Sequence, residues 1–280
     1  MINILYIKIG PVCIKINSQY PLTIDPRYQH FFIDDISEEN DIIDCDVKVT
    51  DDFSVVQGNL IYQNGERMIF DYQGKETRIH FFNQNPYGIY REIDDNHFSI
   101  EVTSNIINIL FLEMFALEKY LLKKGGLILH SSFIEWHNQG IVFTAPSGTG
   151  KSTQASLWQK YEHAKIINSD RSILYFNKNN ILMSCGLPFC GSSNINLNKE
   201  FPLKAIVFLS QADYNEAEYI NISFASKKLF KESSINKWNI KSIDDSLNII
   251  EKITKHTKLI SLKCMINQEA VNILKDLIIK

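Results

Sequence analysis

One stretch, Ala145-Pro146-Ser147-Gly148-Thr149-Gly150-Lys151-Ser152-Thr153, limits the folds open to this chain more than any other. The apolar run Gly140–Thr144 precedes it and a helical run, Ser152–Tyr161, follows it. Strand, glycine-rich loop and helix in that order is the layout of a phosphate-binding loop, and it points to an α/β fold. The glycines let the backbone bend until several N–H groups converge on one phosphate. The helix N-terminus adds roughly half a positive charge. Lys151 is placed to reach β- and γ-phosphates, and Ser152 to ligate Mg²⁺. Ala145 stands at the first glycine of the G-x-x-x-x-G-K-S/T pattern, while Gly148 and Gly150 remain. The residues expected to hold a nucleotide are Ser147, Gly148, Thr149, Gly150, Lys151, Ser152 and Thr153.

Bulk properties narrow the classes. A chain of 280 residues has room for one large or two modest domains. Its net charge of −3 argues against a general affinity for nucleic acid. Cys13, Cys45, Cys185, Cys190 and Cys264 are odd in number and form no C-x-x-C pair. Neither a disulfide scaffold nor a structural zinc site is expected, and a reducing cytoplasm fits. Met1–Gly10 alternates, carries Lys8 and lacks the architecture of a signal peptide. The longest apolar stretch, Ile106–Leu122, is broken by Asn108, Glu113, Glu118 and Lys119. It reads as a buried amphipathic helix rather than a membrane span.

Residues 1–103 read as a β-rich domain. Leu5–Ile9 and Val12–Ile16 flank Gly10-Pro11, and Leu60–Tyr62 and Met68–Phe70 flank a loop with the hairpin signal Asn64-Gly65. Thr77–Phe81 and His97–Val102 continue the pattern, and the acidic Asp34–Asp46 reads as an exposed connection. Residues 104–280 read as the second domain. Ser104 looks like the N-cap of a helix that runs to about Lys124 and stops at Gly125-Gly126. Strands are expected over Leu127–Ile134, Gly140–Phe143, Lys165–Asn168, Ser172–Phe176, Ile181–Ser184 and Ala205–Leu209. A helix near Asp244–Thr254, a strand Lys258–Lys263 and a helix Gln268–Ile279 complete the reading.

Asp170 is the first acid after the glycine-loop helix and follows the strand end Ile166-Ile167-Asn168. Ligands bind at the carboxyl edges of strands in α/β sheets, so Asp170 is expected to be a metal ligand, a catalytic acid or base, or both. Gly186–Asn194 packs glycine, proline and serine together. It is either a loop that shapes a phosphate or acceptor pocket or an ordinary connection.

Three segments carry a family resemblance: His130–Trp136, Gly140–Ser152 and Ile167–Arg171. Together they resemble the catalytic domain of HPr kinase/phosphorylase, which phosphorylates a serine of a small carrier protein. Ser147–Thr153 is also similar to the loop of ATP-dependent phosphoenolpyruvate carboxykinase. The resemblance covers about residues 125–210 and is nearest to the divergent HPr-kinase-like proteins of peptide-modification pathways. It implies an α/β catalytic domain of that type, ATP and Mg²⁺ as cofactors, and a peptide or protein substrate with an acceptor serine. It implies catalytic roles for Asp170, His130 and Lys151, with Ser152 and Asp170 as metal ligands. Those families carry two adjacent aspartates where this chain has Ser169-Asp170, so His130 or Asp170 is left to handle the acceptor proton. Their later basic signature loop is not found, so transfer to the acceptor is expected rather than the reverse reaction. A small-molecule kinase and a nucleotide-binding regulatory module are the competing readings, and a homo-oligomer stays open. The β-rich half is expected to hold a peptide by strand addition at an exposed sheet edge.

Overall fold

The computed structural model describes residues 3–37, 39, 41–105 and 108–280. It is a mixed α/β protein with two large sheets, and it divides into compact units Met1–Leu117 and Glu118–Lys280.

The first unit is built on a nine-stranded sheet among the described residues. Its strands are β1 (Asn3–Ile9), β2 (Val12–Ser18), β3 (Phe32–Ile33), β4 (Ile43–Val49), β5 (Asn59–Gln63), β6 (Arg67–Tyr72), β7 (Lys75–Phe82), β8 (Asn85–Asp94) and β9 (His97–Val102). The order is β3-β1-β2-β4-β9-β8-β7-β6-β5. β1 and β2 form the hairpin expected at Gly10, whose φ of 56° a side chain would resist. Asn64 closes the β5–β6 hairpin by accepting from the amides of Glu66 and Arg67.

The acidic segment read as an exposed connection is partly a central strand. β4 lies parallel to both β2 and β9. Its Ile43, Cys45 and Val47 are buried, while Asp46 and Lys48 alternate with them on the exposed face. Charges on the outer face mask a strand that is apolar on its inner one.

The single helix expected over 104–124 is two: α1 (Asn108–Glu113) and α2 (Leu117–Lys123), separated at Ala116, whose φ is 49°. The expected start of that helix includes residues 106 and 107, which lie outside the described residues. Residues 104–117, placed by sequence in the second domain, fall in the first unit. Apolar packing explains this: the Phe115 ring lies 5.9 Å from that of Phe98, and Met114 fills the space a side chain at Gly88 would need.

The second unit contains β10 (Gly126–Trp136), β11 (Gln139–Thr144), α3 (Lys151–Glu162), β12 (Lys165–Asn168), β13 (Arg171–Phe176), β14 (Leu182–Cys185) and β15 (Glu200–Gln211). β16 (Glu216–Tyr219), α4 (Ile222–Glu232), α5 (Ile240–Thr254), β17 (Lys258–Cys264) and α6 (Gln268–Ile279) follow. The long strands β10 and β15 each serve more than one neighbour. β10 pairs with β13 over its first half and with β11 over its second. β15 pairs with β14 first and then runs parallel to β11 and β17. The parallel strands are nearly continuous apolar runs because both faces are covered. Ile141, Phe143, Val207 and Ile260 pack on one side with Trp158 of α3 and Leu274 of α6. Val142, Ile206 and Leu259 pack on the other with Leu229 of α4 and Ile253 of α5. The glycine-rich loop therefore leaves the carboxyl end of β11 beside β15, and Gln211 at the end of β15 donates to Gly148 O at 3.4 Å.

α4 and β16 had no expectation. Only Ala225 and Leu229 of α4 are buried, too few to make a legible apolar stripe.

Candidate active site

Gly148 and Gly150 take φ values of 78° and 108°, left-handed backbone that bends the chain directly into α3. Asn221, Asn239 and Asn267 cap α4, α5 and α6 by accepting from a first-turn amide. Gly150 at the start of α3 supplies no such side chain. The first-turn amides of α3 thus keep their hydrogen-bonding capacity for something outside the helix.

Lys151 is buried, and its ammonium donates to Ala145 O at 2.9 Å and Pro146 O at 3.3 Å. Burial pulls its pKa below the usual lysine value, against the opposing charges of Glu232 and Asp170. Ser152 donates its hydroxyl to Ser169 O at 3.2 Å, and Ser132 donates to the same carbonyl at 3.0 Å. The start of α3 is thereby tied to the turn after β12.

Asn168 shapes that turn. Its side-chain oxygen accepts from the amides of Asp170 and Arg171 at 2.9 and 3.0 Å, and its Nδ2 donates to Leu187 O and Phe189 O at 2.8 Å each. One buried amide therefore holds the Asp170 turn and the Gly186–Asn194 segment together. Gly191 passes close to Asp170: at φ 56°, a Cβ there would sit 3.3 Å from Asp170 Cγ.

His130 is on β10, opposite Arg171 of β13. Its Nε2 lies 3.9 Å from Asp170 Oδ1 and its Nδ1 lies 3.4 Å from Glu232 Oε2. Arg171 Nε flanks the far oxygen of Asp170 at 3.3 Å. The His130 pKa lies below the ordinary histidine value, first through burial and then through the Lys151 charge, with Asp170 and Glu232 pulling the other way.

These groups line a cleft of about 330 Å³. His130, Ser147, Gly148, Gly150, Lys151, Ser152, Thr153 and Asp170, all singled out in the sequence, meet there with Ser169, Cys190, Gly191 and Ser193. Thr149 does not line it; its amide closes the loop on Pro146 O at 3.3 Å. Sequence reasoning passed over Ser132, Asn168 and Glu232. Asn168 carried a usable signal, an Asn two residues before an acid at a strand end. Glu232 carried one only after α4 is known: a carboxylate at a helix C-terminus, where the dipole disfavours it. Among the described residues no group of three or more His, Cys, Asp and Glu side chains could hold a metal ion by itself. No helix there is long and apolar enough to cross a membrane.

Fold and site together define a mixed α/β protein with a polar cleft at a strand–loop–helix junction. Residues 99–269 match the family described as SynChlorMet cassette protein ScmC, and the chain belongs to that family. Among solved structures it is similar to the Hpr(Ser) kinase/phosphatase from Coxiella burnetii, at 11% identity and a TM-score of 0.30, over 54% of this chain and 87% of that one. No curated protein matches it.

Proposed function

We propose that the chain is an ATP-dependent kinase that transfers a phosphoryl group to a hydroxyl, a serine, of a peptide or protein. The observation that carries this reading is one cleft. It joins an uncapped helix N-terminus and a buried lysine to a histidine–aspartate pair. The residues fit a magnesium nucleotide. Open space lies beside Gly148 and Gly150, and Lys151 rests on carbonyl oxygens where phosphate oxygens would otherwise take its protons. Magnesium needs only one or two protein ligands, and Ser152 and Asp170 are the residues that would hold it. When bound, the magnesium nucleotide supplies the phosphoryl group and neutralises part of its charge.

The protein's own share is placement and charge. The α3 amides and Lys151 stabilise negative charge that builds on the transferred group. Asn168 holds the Asp170 backbone amide and Arg171 Nε flanks the carboxylate, which together set where that charge stands. His130 faces Asp170 and flanks the place for the acceptor hydroxyl. Holding the hydroxyl there converts a bimolecular encounter into an oriented one.

The test is phosphotransfer from labelled ATP to serine-containing peptides encoded beside this chain, with and without magnesium. Labelled phosphoserine that depends on magnesium supports the reading. Nucleotide binding without transfer to any such peptide, or to water, would leave a nucleotide-binding module and sink the kinase.

A further inference from the structure

We propose that Glu232 is a positioning residue: it fixes His130 as the tautomer with hydrogen on Nδ1, leaving the Nε2 lone pair turned into the cleft. This rests on the kinase reading for its consequence, though not for its geometry.

Backbone pairing puts the two side chains together. The residue after α4, Ser233, forms an antiparallel bridge with Leu129 of β10, and Ser234 donates its amide to Ile128 O at 2.9 Å. In that register Glu232 falls directly opposite His130, where cross-strand side chains meet. The Glu232 side chain is only 11% exposed, and its Oε2 lies 3.4 Å from His130 Nδ1. A carboxylate only accepts, and a neutral imidazole has one donor and one acceptor nitrogen. A neutral ring beside that carboxylate gains most with its hydrogen on Nδ1 and its lone pair on Nε2.

Two features show that this placement is not incidental. Glu232 ends α4, where the helix dipole favours a cation and where Lys231 precedes it. A mostly buried acid at that position is costly, and its carboxylate faces His130 and the Lys151 charge. On the other side of the ring, Nε2 lies 3.9 Å from Asp170 Oδ1, and in the proposed tautomer the two face each other as acceptors. A hydroxyl entering that gap can donate to Nε2. Asp170 serves as a metal ligand in the proposed reaction, which leaves His130 Nε2 to receive the acceptor's hydrogen. In the transfer the acceptor oxygen bonds to phosphorus, the bond to the departing diphosphate breaks, and the hydroxyl hydrogen goes to Nε2. The charged groups facing the ring are Lys151 from α3, Asp170 and Arg171 from the turn and β13, and Glu232 from α4.

The experiment is histidine ¹⁵N/¹³C NMR on the full chain without nucleotide, at a pH where the ring is neutral, joined to kinetics on two variants. Wild-type His130 is expected as the Nδ1–H tautomer. Glu232→Leu removes the acceptor and is expected to mix the tautomers. It is also expected to lower kcat on the order of 10-fold to 100-fold, with the KM for ATP within about twofold. Glu232→Gln keeps a carbonyl acceptor and is expected to restore part of both. Hydrogen on Nε2 in the wild-type protein overturns the proposal whatever the kinetics show. So does a Glu232→Leu variant with wild-type kcat in a protein that His130→Ala inactivates. Failure of the kinase reading looks different: Nδ1–H is still seen, yet no peptide is phosphorylated.

Discussion

Four helix starts in the second unit are built in two ways. α4, α5 and α6 begin at Asn221, Asn239 and Asn267, each of which satisfies an amide of its own first turn. α3 begins at Gly150, which satisfies none, and is followed at once by a buried lysine. The first three starts close on themselves and contribute stability. The fourth leaves donors and a cation pointed at a cleft. A cap at α3 would stabilise the helix and occupy the same amides, so in the proposed function the missing cap leaves those amides for the nucleotide.

The largest expected effect tests the charge at the open start. Lys151→Ala is expected to cut phosphotransfer by at least ~100-fold, the scale of a single electrostatic group aimed at the reacting centre. The melting temperature serves as the folding control. Wild-type transfer by that variant would make the α3 start a fourth ordinary one. Next comes the acid across the cleft. Asp170→Asn keeps volume and the backbone amide's hydrogen bond to Asn168 Oδ1, so the fold is expected to hold while magnesium-dependent turnover falls on the order of 100-fold. Full activity at ordinary magnesium levels would reduce Asp170 to a turn residue.

The open start was legible in the sequence because its rule is local. Glycines at fixed spacing before Lys151 need no tertiary context. Asp170 was legible for the same reason, as the first acid past a strand. Glu232 was not, because its meaning comes from a bridge between Ser233 and Leu129, far apart in sequence. β4 was hidden by Asp44, Asp46 and Lys48 on its outward positions, since a central strand with one charged face resembles a loop in composition. The helix break at Ala116, at φ 49°, was hidden too: alanine favours helix, and the neighbouring Met114 and Phe115 pack against Gly88 and Phe98 in the first unit, contacts the local sequence does not show.

A smaller effect sharpens the contrast from the far wall of the cleft. Gly191→Ala adds a methyl 3.3 Å from Asp170 Cγ at a left-handed φ of 56°. The strain is roughly 1–2 kcal/mol. Displacing the carboxylate is expected to lower turnover about 10-fold, because small misplacements are costly in oriented reactions. A thermal shift without a kinetic one would detach this loop from the site. The matched control is Asn239→Ala, which removes the cap that accepts from the Ser242 amide at 2.9 Å. It is expected to cost about 1 kcal/mol of stability by thermal melting and to leave kcat unchanged.

The smallest expected effect concerns the first unit; the described residues that line the cleft belong to the second. Its β5 is an edge strand, paired with β6 on one side only among the described residues. Leu60 and Ile61 on it are 48% and 42% exposed, and edges of this kind accept an added strand through their free backbone groups. If a peptide substrate docks there, Ile61→Pro blocks added pairing by removing a donor. The KM for peptide is then expected to rise about 3-fold to 10-fold, the size of one or two lost hydrogen bonds, while kcat and the KM for ATP hold. An equal rise for a free serine analogue would mean that the variant disturbs the fold instead. No rise at all would leave β5 without a part in substrate binding and confine recognition of the acceptor to other surfaces.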